Sequence, residues 1–464
     1  MNNVFIKTAA LLFLVPVTAF GQNGFSSGSS EDSFKKTLYG FVRGGFYSGV
    51  DDNDNKLYIP SAYSDFALKL EAGNDDHFKG YADMRFRYGT EFREPVTRFD
   101  LREAYVTVNG KKWDVSTGQK IIKWGRADFT NPTQKLSPQN LVSRSTDHED
   151  MDMGNLLMEG RWYPSPLISL EAVAVPFYRS SILLIKPLDL PEYVSINQIE
   201  NLLTDKSFFS YGLRADLHLK GIDVGLSWFD GYDPMPGVKL TGVNLDTTGY
   251  IPSFSAEMTM TPYKIRNAGV DFEATLGSFG FRGEAVWTIP LLSYKTNEYV
   301  PMEEIKWAAG IDWMKGNWRI TGEYSGKTIP GFEPSTVEPS LLSEPDPALL
   351  GMMMSMPGFS LEDFMRQQVG AFNRLYNYQL EKSYHSGAIR VESDLFYGRL
   401  TPSVTALYNF TSHDLMLMPE VTYKPADGLT IVAGGDFLSG RKGSVYDIVD
   451  EFMNCFRLGL KVNF

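Results

Sequence analysis

Residues 78–88 read FKGYADMRFRY, and alternate members of that string suit different solvents. Phe78, Gly80, Ala82, Met84, Phe86 and Tyr88 fall on one side of an extended chain. Lys79, Tyr81, Asp83, Arg85 and Arg87 fall on the other. The same period-two pattern returns in GVDFEATL (269–276), FRGEAVW (281–287), IKWAAGIDW (305–313) and in the terminal CFRLGLKVNF (455–464). Beyond the first twenty or so residues, no stretch approaches the ~20 apolar residues of a membrane-spanning helix. Aromatic residues nonetheless make up 14% of the chain and the mean hydropathy is −0.21. Many aromatics without an apolar run is the composition of strands that are greasy on one face only.

Turn spacing separates a membrane barrel from a soluble sandwich. Short polar turns recur at NDDH (74–77), NGKK (109–112), YPSP (163–166), KGI (220–222), GSFG (277–280), MKGN (314–317), SDLF (394–397) and KPADG (424–428). Between them lie long connections at 89–97, 122–155, 179–209, 232–264, 292–302, 327–382 and 439–454. Short turns at one end and long loops at the other predict an all-β fold, a transmembrane antiparallel barrel with periplasmic turns and extracellular loops carrying short helices. The count is about 18 strands, within a range of roughly 16 to 20. Tryptophan placement agrees. Trp113, Trp162, Trp313 and Trp318 stand beside short turns, Trp228, Trp287 and Trp307 towards the long loops, and all have the parity of the apolar face. Strand 1 (LYGFVRGGF) should pair with the last strand to close the wall, because an open sheet edge in lipid leaves backbone groups unpaired at several kcal/mol each.

The N-terminus reads as a secretory signal over residues 1–21: Lys7, the apolar run TAALLFLVPV, then Ala19-Phe20-Gly21. A flexible lead-in (22–36) and a single barrel domain (37–464) follow. The lead-in is far below domain size, so no separate plug is expected ahead of strand 1. The formal charge of −12 disfavours nucleic acid as a partner. The single cysteine, Cys455, excludes an intrachain disulfide framework. No cofactor, metal site or catalytic residue is expected. TDHED (146–150) and DDNDN (51–55) read as solvated acidic loops, and neither a nucleophile motif nor a partner for His148 accompanies them.

Parity also assigns the lumen. Its acids and bases are nearly balanced, and cross-strand ion pairing is their default arrangement. The candidates for a solute path are Lys79, Arg85, Arg87, Lys120, Arg126, Asp128, Arg282, Glu284, Lys306 and Asp312. Lys79, Arg85 and Arg87 form the one local excess of positive charge. Among the loops, VSINQIENLL (194–203) reads as a short helix. In the longest loop, Ser360 with Asp363 makes a capping box ahead of a helix whose one face carries Leu361, Phe364, Met365, Val369, Phe372 and Tyr376. Met352, Met353 and Met356 precede it, and with Phe364 and Phe372 they are candidates for a gate at the barrel mouth.

Residues 101–140 carry a resemblance. Ala104-Tyr105, Gly118-Gln119, Trp124-Gly125-Arg126-Ala127-Asp128 and Asn131-Pro132 resemble a porin-like outer-membrane family that includes the alginate-export-type barrels. The resemblance implies a porin-like channel in the outer membrane of a Gram-negative-type bacterium, with Phe464 ending the strand that the barrel-assembly machinery reads. Outer-membrane lipid and an unidentified solute would be its other partners. From the residues themselves, Gly125 permits a tight turn, and Arg126 with Asp128 either pins the following loop to the wall or meets solute at a constriction. The function expected is passive passage of a small or amphipathic solute. The alternatives are an export or surface-assembly component for lipid or polysaccharide, and a surface hydrolase.

Overall fold

The computed structural model describes residues 34–464 apart from 51–56, 75–76, 184, 186–187, 189, 200–201, 247–252 and 342–346. The segment read as a signal sequence, most of the expected lead-in and DDNDN lie outside the described residues. Lys35–Phe464 forms one compact unit.

Eighteen strands close into an antiparallel barrel. In wall order they are β1 (Lys35–Val50), β2 (Leu57–Asn74), β3 (Phe78–Glu91), β4 (Glu94–Asn109), β5 (Trp113–Lys120), β6 (Asn155–Ser165), β7 (Ile168–Val175), β9 (Ser210–Leu219) and β10 (Ile222–Tyr232). The wall continues through β13 (Lys264–Leu276), β14 (Phe279–Pro290), β15 (Glu304–Lys315), β16 (Trp318–Thr328), β17 (Ser383–Ser393), β18 (Leu400–Asn409), β19 (Asp414–Ala426), β20 (Leu429–Ser439) and β21 (Cys455–Asn463). β21 pairs back on β1, with Val42 opposite Val462 and Gly44 opposite Leu460. Phe456, Leu458, Leu460, Val462 and Phe464 are exposed on the outside of this seam, whereas Arg457 is buried inside. Exposed apolar side chains in a closed wall need an apolar solvent, which a bilayer supplies. No helix among the described residues is long and apolar enough to cross a membrane.

Each of the eight short turns falls between two wall strands where the sequence places it, residues 75–76 of the first lying outside the described residues. The long connection expected at 89–97 does not exist. β3 and β4 meet in a two-residue hairpin, Phe92-Arg93, with φ of 49° and 66°. Neither residue is a Gly, Asn or Asp, so the usual sequence signal for such a turn is missing. Tertiary bonds hold it instead: Phe92 N–H donates to Ser61 Oγ at 2.9 Å and Arg93 N–H to the Pro60 carbonyl at 2.6 Å.

The extracellular loops build a cap with its own core. β8 (Val194–Asn197) adds in parallel to the hairpin β11 (Gly237–Asp246) and β12 (Ser253–Thr261). The helix expected over 194–203 is therefore a strand at its start, since Val-Ser-Ile-Asn alternates and β12 offers an open edge. Helices α1 (Pro347–Met354) and α2 (Leu361–Tyr376) follow in the longest loop, and α3 (Val445–Met453) lies in the last one. Ser360 caps α2, its side chain accepting from Asp363 N–H at 3.2 Å. Met365, Val369 and Phe372 of α2 pack on Val238, Leu240, Met258 and Met260. Asn373 completes the contact as a false strand, accepting from Val238 N–H at 2.9 Å and donating to its carbonyl at 2.7 Å. Phe372→Ala should cost the cap about 3–5 kcal/mol. Hydrogen exchange then quickens across α2 and β11 while the barrel strands keep their protection.

Candidate functional site: the lumen and the loop across it

The connection between β5 and β6, residues 121–154, folds into the barrel. Its first half is seated by an apolar patch on the inner wall. Ile122, Trp124 and Leu136 of the loop are buried against Leu157, Val173, Val175, Phe229 and Ile265. Trp124 Nε1 also donates to Glu171 at 3.1 Å. Beyond Trp124 the backbone turns at Gly125 with φ of 94°, where a Cβ would collide with Asn131, Thr133 and Glu284. Only glycine fits both the dihedral and the space.

Two carboxylates from the far wall then hold the turn by its backbone. Glu284 of β14 accepts from the N–H groups of Arg126 (3.0 Å), Ala127 (3.3 Å) and Thr133 (2.7 Å), and from Thr133 Oγ1 (2.6 Å). Glu323 of β16 accepts from the N–H groups of Asp128, Phe129 and Thr130, at 2.9, 3.0 and 2.9 Å. Arg126 donates to Asp271 at 2.7 Å and reaches Asp216 and Glu273 at 3.3 Å. Asp128 pairs with Arg282, which also binds Asp312 at 3.0 Å. Burial pushes the Asp128 carboxyl up, and Arg282 only partly offsets it.

The second half of the loop crosses to the opposite side. Asp150 lies between Arg43 at 2.6 Å and Arg85 at 2.5 Å. Arg87 binds Asp65 at 2.6 Å, pairs with Glu91, and donates to the Arg144 carbonyl at 2.8 Å. Of the acids in TDHED, Asp150 alone is withdrawn from solvent, its side chain 5% exposed between Arg43 and Arg85, whereas Asp147 and Glu149 keep the exposure of a solvated acidic loop at 42% and 76%. The positive cluster expected on β3 is neutralised in the same way, Lys79 by Glu71 at 2.8 Å. Lys120 pairs with Glu159, and Lys306 with Glu304 at 2.5 Å. Gln119 donates to the carbonyls of Leu101 and Arg102 at the bulge in β4.

Pinned to β13–β16 on one side and to β1–β4 on the other, the loop leaves one sector of wall uncovered. There, between residues 146–149 and strands β17–β21, is a cavity of about 370 Å³. Ser403, Thr405, Thr422 and Thr430 line it with hydroxyls, and Arg43, Arg390, Arg457 and Lys461 with positive charge, against Asp147, Glu149 and Glu420. Lys461 is loosely held, 3.9 Å from Asp147. None of the ten lumen residues singled out by sequence lines this cavity. Parity does place Arg390, Arg457 and Lys461 inside, but the hydroxyls beside them carry no pattern that marks them.

Of the gate candidates, Phe372 is buried and Phe364 partly buried in the cap core. Met352 and Met356 are exposed and Met353 is half-buried.

No family model and no curated protein sequence matches the chain. Solved structures match it by shape. OccK2 (OpdF) of Pseudomonas aeruginosa, in complex with glucuronate, superposes with a TM-score of 0.53 at 8% identity, over 92% of this chain and 96% of that one. The fold is that of the outer-membrane porins. OpdK of the same organism, with vanillate, gives a TM-score of 0.52 at 9% identity over 92% and 98%. A BenF-like porin from Pseudomonas fluorescens Pf-5 gives 0.52 at 8% identity over 92% and 98%. At such identities the porin fold carries over, and the lining residues have to speak for themselves.

Proposed function

We propose that the protein is an outer-membrane channel through which a small polar or amphipathic solute passes without an energy source. The observation that carries this is the inner loop, braced against two sides of the lumen and leaving a sector along β17–β21 lined by hydroxyls. In that sector Arg457 is matched by Glu420 and Asp436 and Arg390 by Glu392, while Lys461 is only loosely held. A loop held by so many directed bonds sets a fixed aperture and does not simply fill space. Arg85, Arg87, Arg126, Asp128, Arg282 and Glu284 hold that aperture, and Ser403, Thr405 and Thr430 meet the solute. Exposed Met352 in α1 and Met356 just after it give the cap an adaptable apolar surface for a greasy portion of it. The structures of OccK2 with glucuronate and OpdK with vanillate support a solute of that size.

Kinship with the alginate-export-type barrels is a finer reading, resting on residues 101–140. Here the Trp-Gly-x-x-Asp element folds into the seat of the inner loop, and a cavity of about 370 Å³ suits a small molecule better than a polymer strand. In the same reading, β21 with its final Phe464 is the strand that the barrel-assembly machinery takes up.

Planar-bilayer recording tests the path. The wild type conducts, and Thr430→Trp, which sets an indole into the uncovered sector, lowers the conductance severalfold while the barrel still assembles. Unchanged current through that variant would place the path elsewhere.

A further inference from the structure

No motif in the sequence marks a nucleophile, but strand register assembles one. β9 and β10 meet through the short turn at 220–222, which sets His218 directly opposite Asp223. On the other side of β9, Ser169 of β7 stands opposite Asp216, two residues from His218 and on the same face. Leu213, Leu217 and Leu219 of β9 are exposed on the outer face, so this one is the lumen. Side chains directly opposite in an antiparallel pair are about 5 Å apart at Cβ, and a diagonal neighbour is within reach of a ring. The imidazole spans both gaps. His218 Nδ1 lies 3.0 Å from Asp223 Oδ1, and Nε2 lies 3.2 Å from Ser169 Oγ.

Two hydrogen bonds would satisfy a wall histidine without any chemistry. The order of the groups says more. Asp223 accepts from Nδ1–H and so fixes the tautomer that leaves Nε2 to accept from the serine hydroxyl. That is the arrangement in which an imidazole takes a proton from a nucleophile. The site is also open, with the side chains of His218 and Asp223 42% and 39% exposed at the short-turn end of the lumen. Arg126 of the inner loop is the cation beside it: Nη2 is 3.3 Å from Asp216, and Nη1 is 3.3 Å from Glu273 and 3.9 Å from Asp223. It is placed to face negative charge growing on a carbonyl oxygen. Asp216, Asp223 and Glu273 repel an anionic substrate, and polar neighbours of this kind give a long acyl chain nothing to pack on.

We propose that Ser169, His218 and Asp223 form an acyl-transfer site that cleaves neutral esters of short carboxylic acids at the periplasmic end of the lumen. Ser169 Oγ bonds to the ester carbonyl carbon as its proton passes to His218 Nε2. The adduct collapses, the bond to the alcohol oxygen breaks, and His218 returns the proton to that oxygen. Water then adds to the acyl-serine, giving a proton to His218, and the acid leaves as Ser169 is reprotonated. β7 and β9 use their N–H groups in the ladder, so Arg126 stabilises the oxyanion without paired backbone donors and turnover is slow. The acyl-enzyme is therefore the species to look for. The activity goes beyond the channel reading and needs no conduction.

The full-length protein in detergent tests it, with p-nitrophenyl acetate as the ester and a fluorophosphonate as the covalent probe. Nitrophenolate appears in a burst of about one equivalent per chain, and peptide mass spectrometry finds the phosphonyl group on Ser169. Ser169→Ala loses both. His218→Ala slows labelling about a hundredfold or more, and added imidazole restores it there but not in Ser169→Ala. Asp223 acts through His218 as a positioning residue. Asp223→Asn lowers the acylation rate about tenfold with KM kept, and Asp223→Glu recovers part of the loss. Absence of a burst above detergent alone, a label on another residue, a burst that survives Ser169→Ala, or His218→Ala labelled as fast as wild type would overturn the assignment.

Discussion

A Glu284→Ala, Glu323→Ala double variant conducts more current than the wild type, and its open level flickers. The two carboxylates accept from the backbone N–H groups of Arg126, Ala127, Thr133, Asp128, Phe129 and Thr130. Removing an acceptor leaves its donors to be satisfied by water, at about 1–3 kcal/mol for each one that stays buried. Lumen water reaches some of them, so the net loss is a few kcal/mol and not the full sum. That is enough to free the tip of the loop while Trp124, Ile122 and Leu136 keep its stem on the apolar wall patch. A tethered, mobile tip widens the aperture on average and blocks it at intervals, hence the flicker. The Glu284→Gln, Glu323→Gln pair retains carbonyl acceptors and should record close to wild type. If the alanine pair conducts with an unchanged, quiet level, the loop does not set the aperture.

Those bonds also show where sequence reading ends. Strand faces, the closing seam and all eight short turns are legible because each is written locally: Phe456, Leu458, Leu460, Val462 and Phe464 alternate regardless of what lies across the wall. The capping box at Ser360 is local in the same sense. Arg126 and Asp128 are recognisable as a pair of charges on a glycine turn. Their counterparts Glu284 and Glu323 lie on distant strands, and nothing near those glutamates says that they receive a loop. Phe92-Arg93 fails for a related reason. A bulky aromatic at φ of 49° is a poor local choice, and Ser61 and Pro60 of the neighbouring strand make it the right one. Val194–Asn197 satisfies either element, and the free edge of β12 decides. The uncovered wall was hidden most thoroughly, since Ser403, Thr405 and Thr430 matter only because the loop leans the other way.

Asp150→Asn should release the opposite anchor and turn the pore towards anions. In the wild type, Arg43 is 1% exposed and shares Asp150 and Asp65, while Arg85 shares Asp150 and Asp83. Taking one partner from buried ions of this kind costs about 3–5 kcal/mol, because the charge left behind stays desolvated. The strain is relieved if residues 143–154 lift and let water reach the guanidiniums, which then face the cavity that already holds Lys461, Arg390 and Arg457. Reversal potentials in a salt gradient should move to the anion side, and protease should cut the loop faster. The pH dependence carries the same sign. Burial alone would raise the Asp150 carboxyl, but Arg43 and Arg85 outweigh it and hold the group below the usual carboxylate range. A carboxylate depressed in the folded state contributes its stability above its unfolded pKa of about 3.9 and loses it only as pH falls through the lower folded value. Wild-type selectivity should therefore stay flat from neutral pH down through the ordinary carboxylate range as far as this anchor is concerned. The Asn variant should show its anion preference already at neutral pH, since it has lost permanently what acid removes from the wild type only at the extreme.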